Sequence, residues 1–248
     1  MVLGMVVYFG VRGQTEGSVG AAFDHAQDIV TLEQNLGIDI EGVVQGPVEA
    51  SPTLETLVNW IYIWGHWPVI VATMLWLVWH HREVFLRLRD AMMLSGAAGM
   101  VIFATYPVAP PRLADLGLVD TVTESSYAYR VLQPPAFVNQ YAAVPSLHAG
   151  WDLLIGMAIV SAATTTWLRM VGVAMPVLMA FAVVATANHY VLDVVAGIAL
   201  VLVAHLGALA LERRRRRIRA ARPRPPGSAS ADPPSAASQP DPHPGAPS

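Results

Sequence analysis

The chain has 248 residues, 54% of them hydrophobic and 13% charged, with a formal net charge of −3 at neutral pH. Its mean hydropathy of +0.46 excludes an ordinary water-soluble globular domain and places it in the membrane class. Cysteine is absent, which excludes disulfides, thiolate nucleophiles and cysteine-zinc sites; lysine is absent too, so all 15 basic residues are arginine.

The chain opens with "MVLGMVVYFGVRG", about eleven apolar residues before Arg12, too few for a full crossing and without a basic n-region or small-residue cleavage site. It reads as a short first helix. Residues 13–56 then carry eight acids (Glu16, Asp24, Asp28, Glu33, Asp39, Glu41, Glu49, Glu55) and no arginine. Within them "DIVTLEQNLGIDIEGVVQ" has apolar residues at mixed three and four spacing, the pattern of an amphipathic helix near a membrane interface.

Five apolar runs follow, at 57–79, 91–109, 147–166, 170–187 and 189–211. Each approaches the twenty residues that cross a bilayer core of about 30 Å as a helix, which satisfies its own backbone polar groups. The expected fold is an all-α integral membrane bundle of about six transmembrane helices, five clear and the first short. "HHREVFLRLRD" (80–90) holds three arginines and "RRRRRIRAARPR" (213–224) eight. The positive-inside rule puts both in the cytoplasm, with Arg169 in a cytoplasmic turn and 13–58, 110–146 and 187–189 on the opposite face. Residues 1–212 form one membrane domain without internal repeats. Residues 213–248 are a basic juxtamembrane run and a Pro/Ala/Ser-rich tail too poor in apolar side chains to order. So close to a span, the arginines are topology determinants and anchors for anionic lipid headgroups; nucleic acid is not an expected partner. The expected location is a bacterial plasma membrane.

Ionisable groups inside spans are costly, and here they cluster. "VPSLHAGWD" and "NHYVLD" each place a histidine and an aspartate four residues apart, on one face of a helix, so that Asp152 can reach His148 and Asp193 can reach His189. A carboxylate on one ring nitrogen fixes the tautomer and raises the basicity of the other. That suits a nucleophile or a general acid equally, so spacing does not divide the roles. Both pairs begin their helices on the face opposite the arginine loops, where "YPVAPPRLADLG" delivers Arg112, a natural phosphate partner. Ser146 and the free N–H groups of its helix start add an anion site. Single histidines and aspartates at helix ends are often solvated and inert. Two pairs and an arginine on one face argue for a site. Asn59, Tyr62 and His66 in "NWIYIWGHWP" share a face and either line a headgroup pocket or make interhelical hydrogen bonds. His205 reads as a packing residue.

"YPVAPPR", "VPSLHAG" and "NHYVLDVVAG", with "TVTESSYAYRVLQPPAFVNQYAAVPSLH" and "NWIYIWGHWP", resemble the type 2 phosphatidic acid phosphatase superfamily, in particular the branch of inositol phosphorylceramide synthases, which are inositolphosphotransferases. The resemblance implies a six-helix bundle in which His189 attacks phosphorus, Asp193 orients it and His148 protonates the leaving oxygen. It implies no metal and no cofactor. Two cations of the phosphatase pattern are missing: there is no lysine upstream of the arginine, and Ala182 and Val183 stand where that pattern has Ser-Arg. A phosphomonoester carries close to two charges at neutral pH and a diester one, so a site poor in cations favours the diester; Arg130 is a candidate to restore one charge. The expected activity is metal-independent transfer of a phospholipid headgroup to an alcohol through a phosphohistidine, at the extracytoplasmic interface. A lipid phosphate or diphosphate phosphatase, with water as acceptor, is the alternative. A lipid transporter using the His/Asp pairs as a proton relay, and a zinc site built from them, come further behind.

Overall fold

The computed structural model describes residues 19–122 and 139–221, which are helical apart from turns and one isolated parallel bridge, Val108 to Ala142. The short first helix, Arg130 and the chain after residue 221 lie outside these residues. Helices run at Val19–Leu36 (α1), Glu41–Glu49 (α2), Pro52–Trp64 (α3), Trp67–His80 (α4), Arg82–Thr105 (α5), Leu147–Ala162 (α6), Thr166–Ala185 (α7) and Val191–Ala220 (α8). A 3-10 turn, Pro111–Leu113, follows α5. Contacts divide the chain after Glu212 into two units, and the second contributes, among its described residues, the arginine-rich end of α8.

Among the described residues three helices, α5, α7 and α8, are long and apolar enough to cross a membrane, and α3 with α4 makes a fourth span bent by 41°. α6 is apolar but only 16 residues long, about 24 Å at 1.5 Å per residue. Side chains on the middle of α7 and α8 point outward: Val177 is 65% exposed and Val203 68%. Lipid is the solvent such surfaces fit. The chain is an integral membrane protein.

Several boundaries differ from the sequence reading. The amphipathic stretch is two helices, α1 and α2, because Gly37 turns the chain at φ +68°, a conformation glycine adopts without strain. The first full span breaks at Gly65–His66, where Pro68 at the start of α4 supplies no N–H and crowds the carbonyl one turn back. The second span starts nine residues early, at Arg82, since nothing between Arg82 and Asp90 breaks a helix. The third ends at Ala162, and Thr165 is already the N-cap residue of α7. The last continues through its arginines to Ala220, cations that favour a helix C-terminus.

α6 is the hub, packed against α4, α5 and α7. One apolar cluster joins Val58 and Tyr62 of α3 to Ala149, Met179, Val183 and Val194. A second, further along the helices, joins Leu77, Leu88, Leu154, Ile155 and Val201. In a third, Ala22, Ala26, Ile29 and Val30 of α1 cover Val108, Ala143 and Tyr190. α1 thus closes the end of the bundle where α5 finishes and α6 and α8 begin.

Candidate active site

The crossing of α6 and α8 is set by two glycines. A Cβ on Gly197 would lie 2.1 Å from the carbonyl oxygen of Ser146, and one on Gly150 2.8 Å from that of Gly197, so only hydrogen side chains permit this approach. It brings the start of α6 against the first turns of α8. The Ser146 N–H donates to the Asp193 carbonyl at 2.9 Å, and the Ser146 hydroxyl caps α6 by accepting from Ala149 N at 3.4 Å. Ser146 is fully buried; its hydroxyl serves the helix start.

His189 sits in the turn between α7 and α8. Ala187 takes a left-handed φ of +52° there, and the N–H groups of Asn188 and His189 both donate to the Val183 carbonyl at 3.1 Å, closing the end of α7. His189 Nδ1 faces two acceptors, the Ala143 carbonyl at 2.8 Å and Asp193 Oδ2 at 3.4 Å. Only a protonated Nδ1 satisfies a carbonyl. Nδ1 therefore donates, which in the neutral ring leaves the lone pair on Nε2. Asp193 Oδ2 also accepts from Tyr190 N at 2.9 Å, so the carboxylate fixes both the ring and the backbone that carries it. The expected pairing of Asp193 with His189 is present, although the Ala143 carbonyl is the nearer partner.

The other expected pairing is corrected. Asp152 does not hold His148; its Oδ1 lies 2.7 Å from Nδ1 of His66, with both side chains almost fully buried. His66 occupies the break between α3 and α4, where the displaced backbone turns its ring toward α6. Asp152 and His148 do share a helix and a spacing of four, but the carboxylate bonds His66, buried at the break between α3 and α4. His148 instead stacks on Tyr62, with ring centroids 4.9 Å apart, and meets the His66 ring at 4.3 Å, tilted by 35°. The centroids of the His148 and His189 rings lie 6.0 Å apart, the rings tilted by 51°.

Arg112 reaches the same turn. Its backbone N–H donates to the Ala187 carbonyl at 2.9 Å, and its guanidinium donates to Asn188 Oδ1 at 2.5 Å. The Asn188 amide donates in turn to Thr186, which leaves its oxygen for the arginine. Asp120 Oδ2 lies 3.0 Å from Arg112 Nε. Asn59, read as lining a headgroup pocket or as making interhelical hydrogen bonds, exchanges hydrogen bonds with Thr121, 3.0 Å to the carbonyl and 3.2 Å from the hydroxyl; it clamps α3 to the segment after the 3-10 turn. His205 lines a separate cavity with Arg87 and Ser161 on the far side of α6. Among the described residues no three His, Asp or Glu side chains group as a metal site would.

The sequence reading missed the partners that come from far along the chain: Asp120 and Asn188 on Arg112, Ala143 on His189, His66 on Asp152. None has a spacing signal. Only the Gly-His-Trp-Pro break, which places a polar ring where a span must bend, marks His66.

A family model described as the PAP2 superfamily matches residues 27–207. That range includes every site residue named above. No curated protein and no solved structure matches the chain.

Proposed function

Since the chain belongs to the PAP2 superfamily, phosphatases and phosphotransferases that are generally metal-independent and act on phosphate-bearing substrates, often lipids, we propose that it transfers the phosphoryl headgroup of a phospholipid to an alcohol. The branch we favour is the one similar to inositolphosphotransferases. The observation that carries the reading is the donation of His189 Nδ1 toward two acceptors, which leaves Nε2 of the neutral ring as the nucleophile, with the His148 ring centroid 6.0 Å from its own.

The chemistry follows from those positions. His189 Nε2 gives its lone pair to phosphorus while the bond from phosphorus to the leaving lipid oxygen breaks, and His148 supplies the proton that oxygen takes. Asp193 stabilises the imidazolium that forms and holds its orientation. In the second half the acceptor hydroxyl gives its proton to His148, its oxygen bonds phosphorus, and the bond to His189 breaks. Arg112, aimed by Asn188, balances charge on the non-bridging oxygens. The His66–Asp152 pair and Tyr62 both pack against the His148 ring and hold it in place.

Arg112 already has a carboxylate, Asp120, beside it. A diester's single charge suits so modest a positive field better than a monoester's two, which supports transfer of a headgroup over hydrolysis of a phosphatidate. Arg82, Arg87 and Arg89 begin α5, and Arg112 follows its other end. By the positive-inside rule the site faces outward. The test is incubation of purified protein with phospholipids labelled in the phosphate and a panel of alcohols. A new labelled phospholipid supports the reading, whereas free phosphate alone assigns the chain to the phosphatases.

A further inference from the structure

We propose that Glu33 and Glu41, which have no place in the chemistry above, are positioning residues for the nucleophile: two buried carboxyl groups, delivered by α1 and α2, that cap the first turn of α8 and hold His189 and Asp193 in place.

The N–H groups at the start of a helix have no partner within it. At α8 three consecutive ones are met by three carboxyl groups: Tyr190 N by Asp193 Oδ2 at 2.9 Å, Val191 N by Glu41 Oε1 at 2.9 Å and Leu192 N by Glu33 Oε1 at 2.8 Å. Two of the three come from about 150 residues away in the sequence. Glu33 is fully buried and Glu41 is 3% exposed, unusual for glutamate unless it is bonded. Carboxyl oxygens here occupy the N–H groups that would otherwise be open to the substrate's phosphate. The substrate is left to Arg112, His148 and His189. Asp193 bonds both Tyr190 N and the His189 ring, so loosening this turn shifts the nucleophile and its orienting carboxylate together.

The pair also has its own protonation. Burial, with the Glu41 charge beside it, raises the Glu33 carboxyl to about 8, against a pull downward from the Leu192 N–H. The second Glu33 oxygen, Oε2, is buried without a hydrogen bond among the described residues. The groups around Glu33 are Glu41 on α2, Asp193 on α8 and Tyr190 just before it; the Tyr190 phenol, pushed up by burial and by these carboxylates, stays neutral and donates to the Ala109 carbonyl. Near neutral pH, Glu33 is therefore protonated. The folded state binds a proton that the unfolded chain releases above its ordinary value of 4.5, so stability from this group falls as pH rises from about 4.5 to about 8 and is level beyond.

The inference rests on the phosphoryl-transfer reading for its catalytic half and on the fold alone for its structural half, and the experiment separates them. Full-length protein in detergent is compared as wild type, E33A, E33Q, E41A and E41Q by amide hydrogen exchange of a peptide spanning residues 188–196. Both alanine variants should speed exchange there by roughly fivefold, the loss expected of one cap, and both glutamine variants should restore it, because an amide oxygen still accepts. The melting temperature of E33Q relative to wild type should rise from pH 5 to pH 8. In the transfer assay the alanine variants should lower kcat with little change in KM, glutamine should recover it, and wild type should lose rate above about pH 8 where E33Q does not. Exchange unchanged in E33A and E41A overturns the proposal, as does an E33Q melting difference that is flat with pH should E33A not fold. A wild type that turns over no phospholipid defeats the transfer reading, and the exchange result then decides the cap by itself.

Discussion

Replacing Gly197 with alanine tests whether the crossing of α6 and α8 sets the distance between the rings of His148 and His189. The new methyl carbon would stand 2.1 Å from the Ser146 carbonyl oxygen and 2.8 Å from its carbon. Carbon and oxygen do not approach within about 3 Å, and the obstacle is backbone. The start of α6 must therefore retreat from α8 by about 1 Å, carrying His148 with it and stretching the Ser146 to Asp193 hydrogen bond. A displacement of about 1 Å in a reacting group is enough for a rate loss on the order of 100-fold, while overpacking of this kind costs about 1–3 kcal/mol of stability. G197A should fold, melt a few degrees lower, and show kcat reduced about 100-fold. Gly207 on the same helix is the control: a Cβ there meets only the end of the Leu94 side chain at 3.2 Å, which can move, so G207A should keep activity. The assay is headgroup transfer beside thermal unfolding of the same samples. G197A within threefold of wild type would refute the reasoning.

His66→Ala and Asp152→Asn should each lower kcat, and the double variant should be little worse than either, because the pair acts on His148 as a unit; additive losses in a double-mutant cycle would mean that the two act separately. Asp193→Asn keeps a group of the same shape at the start of α8 but removes the charge that stabilises the His189 imidazolium, so kcat should fall by about 100-fold or more with lipid binding near normal. A negligible fall would leave Asp193 a structural residue only. For orientation, the absence of native thiols makes labelling clean. A cysteine at Ala114 should react with an impermeant thiol reagent in intact cells, and protection there until lysis would place the site in the cytoplasm.

The order of the apolar helices was legible because lipid-facing helices must be apolar throughout, and the runs at 170–187 and 189–211 lie close to α7 and α8; the expected count was not, since among the described residues three helices, or four spans with the bent α3–α4 pair, are long and apolar enough to cross. Boundaries were less legible. Hydropathy does not see that the charged turn from Arg82 to Asp90 continues a helix, or that Pro68 divides a span into two. His148, His189 and Arg112 were legible as a group, since topology alone brings three helix ends to one face. The pairing of Asp152 was not, because spacing of four says which residues can meet and not which partner wins; His66, at a helix break, bonds the carboxylate. Glu33 and Glu41 stood among the eight acids of residues 13–56, with nothing in their spacing to set them apart. Their role depends on α1 folding back over α8, a contact between residues far apart in sequence that periodicity cannot register.

The central claim is that His189 carries the phosphoryl group between donor and acceptor. The direct measurement is rapid quenching of the protein with phosphate-labelled phospholipid and no alcohol, followed by peptide mapping of the label. The account predicts acid-labile, base-stable label on the peptide containing His189, its transfer to lipid when an acceptor alcohol is added, and its absence from His189→Ala. Transfer that proceeds at wild-type rate in His189→Ala, or label that maps elsewhere, would contradict it.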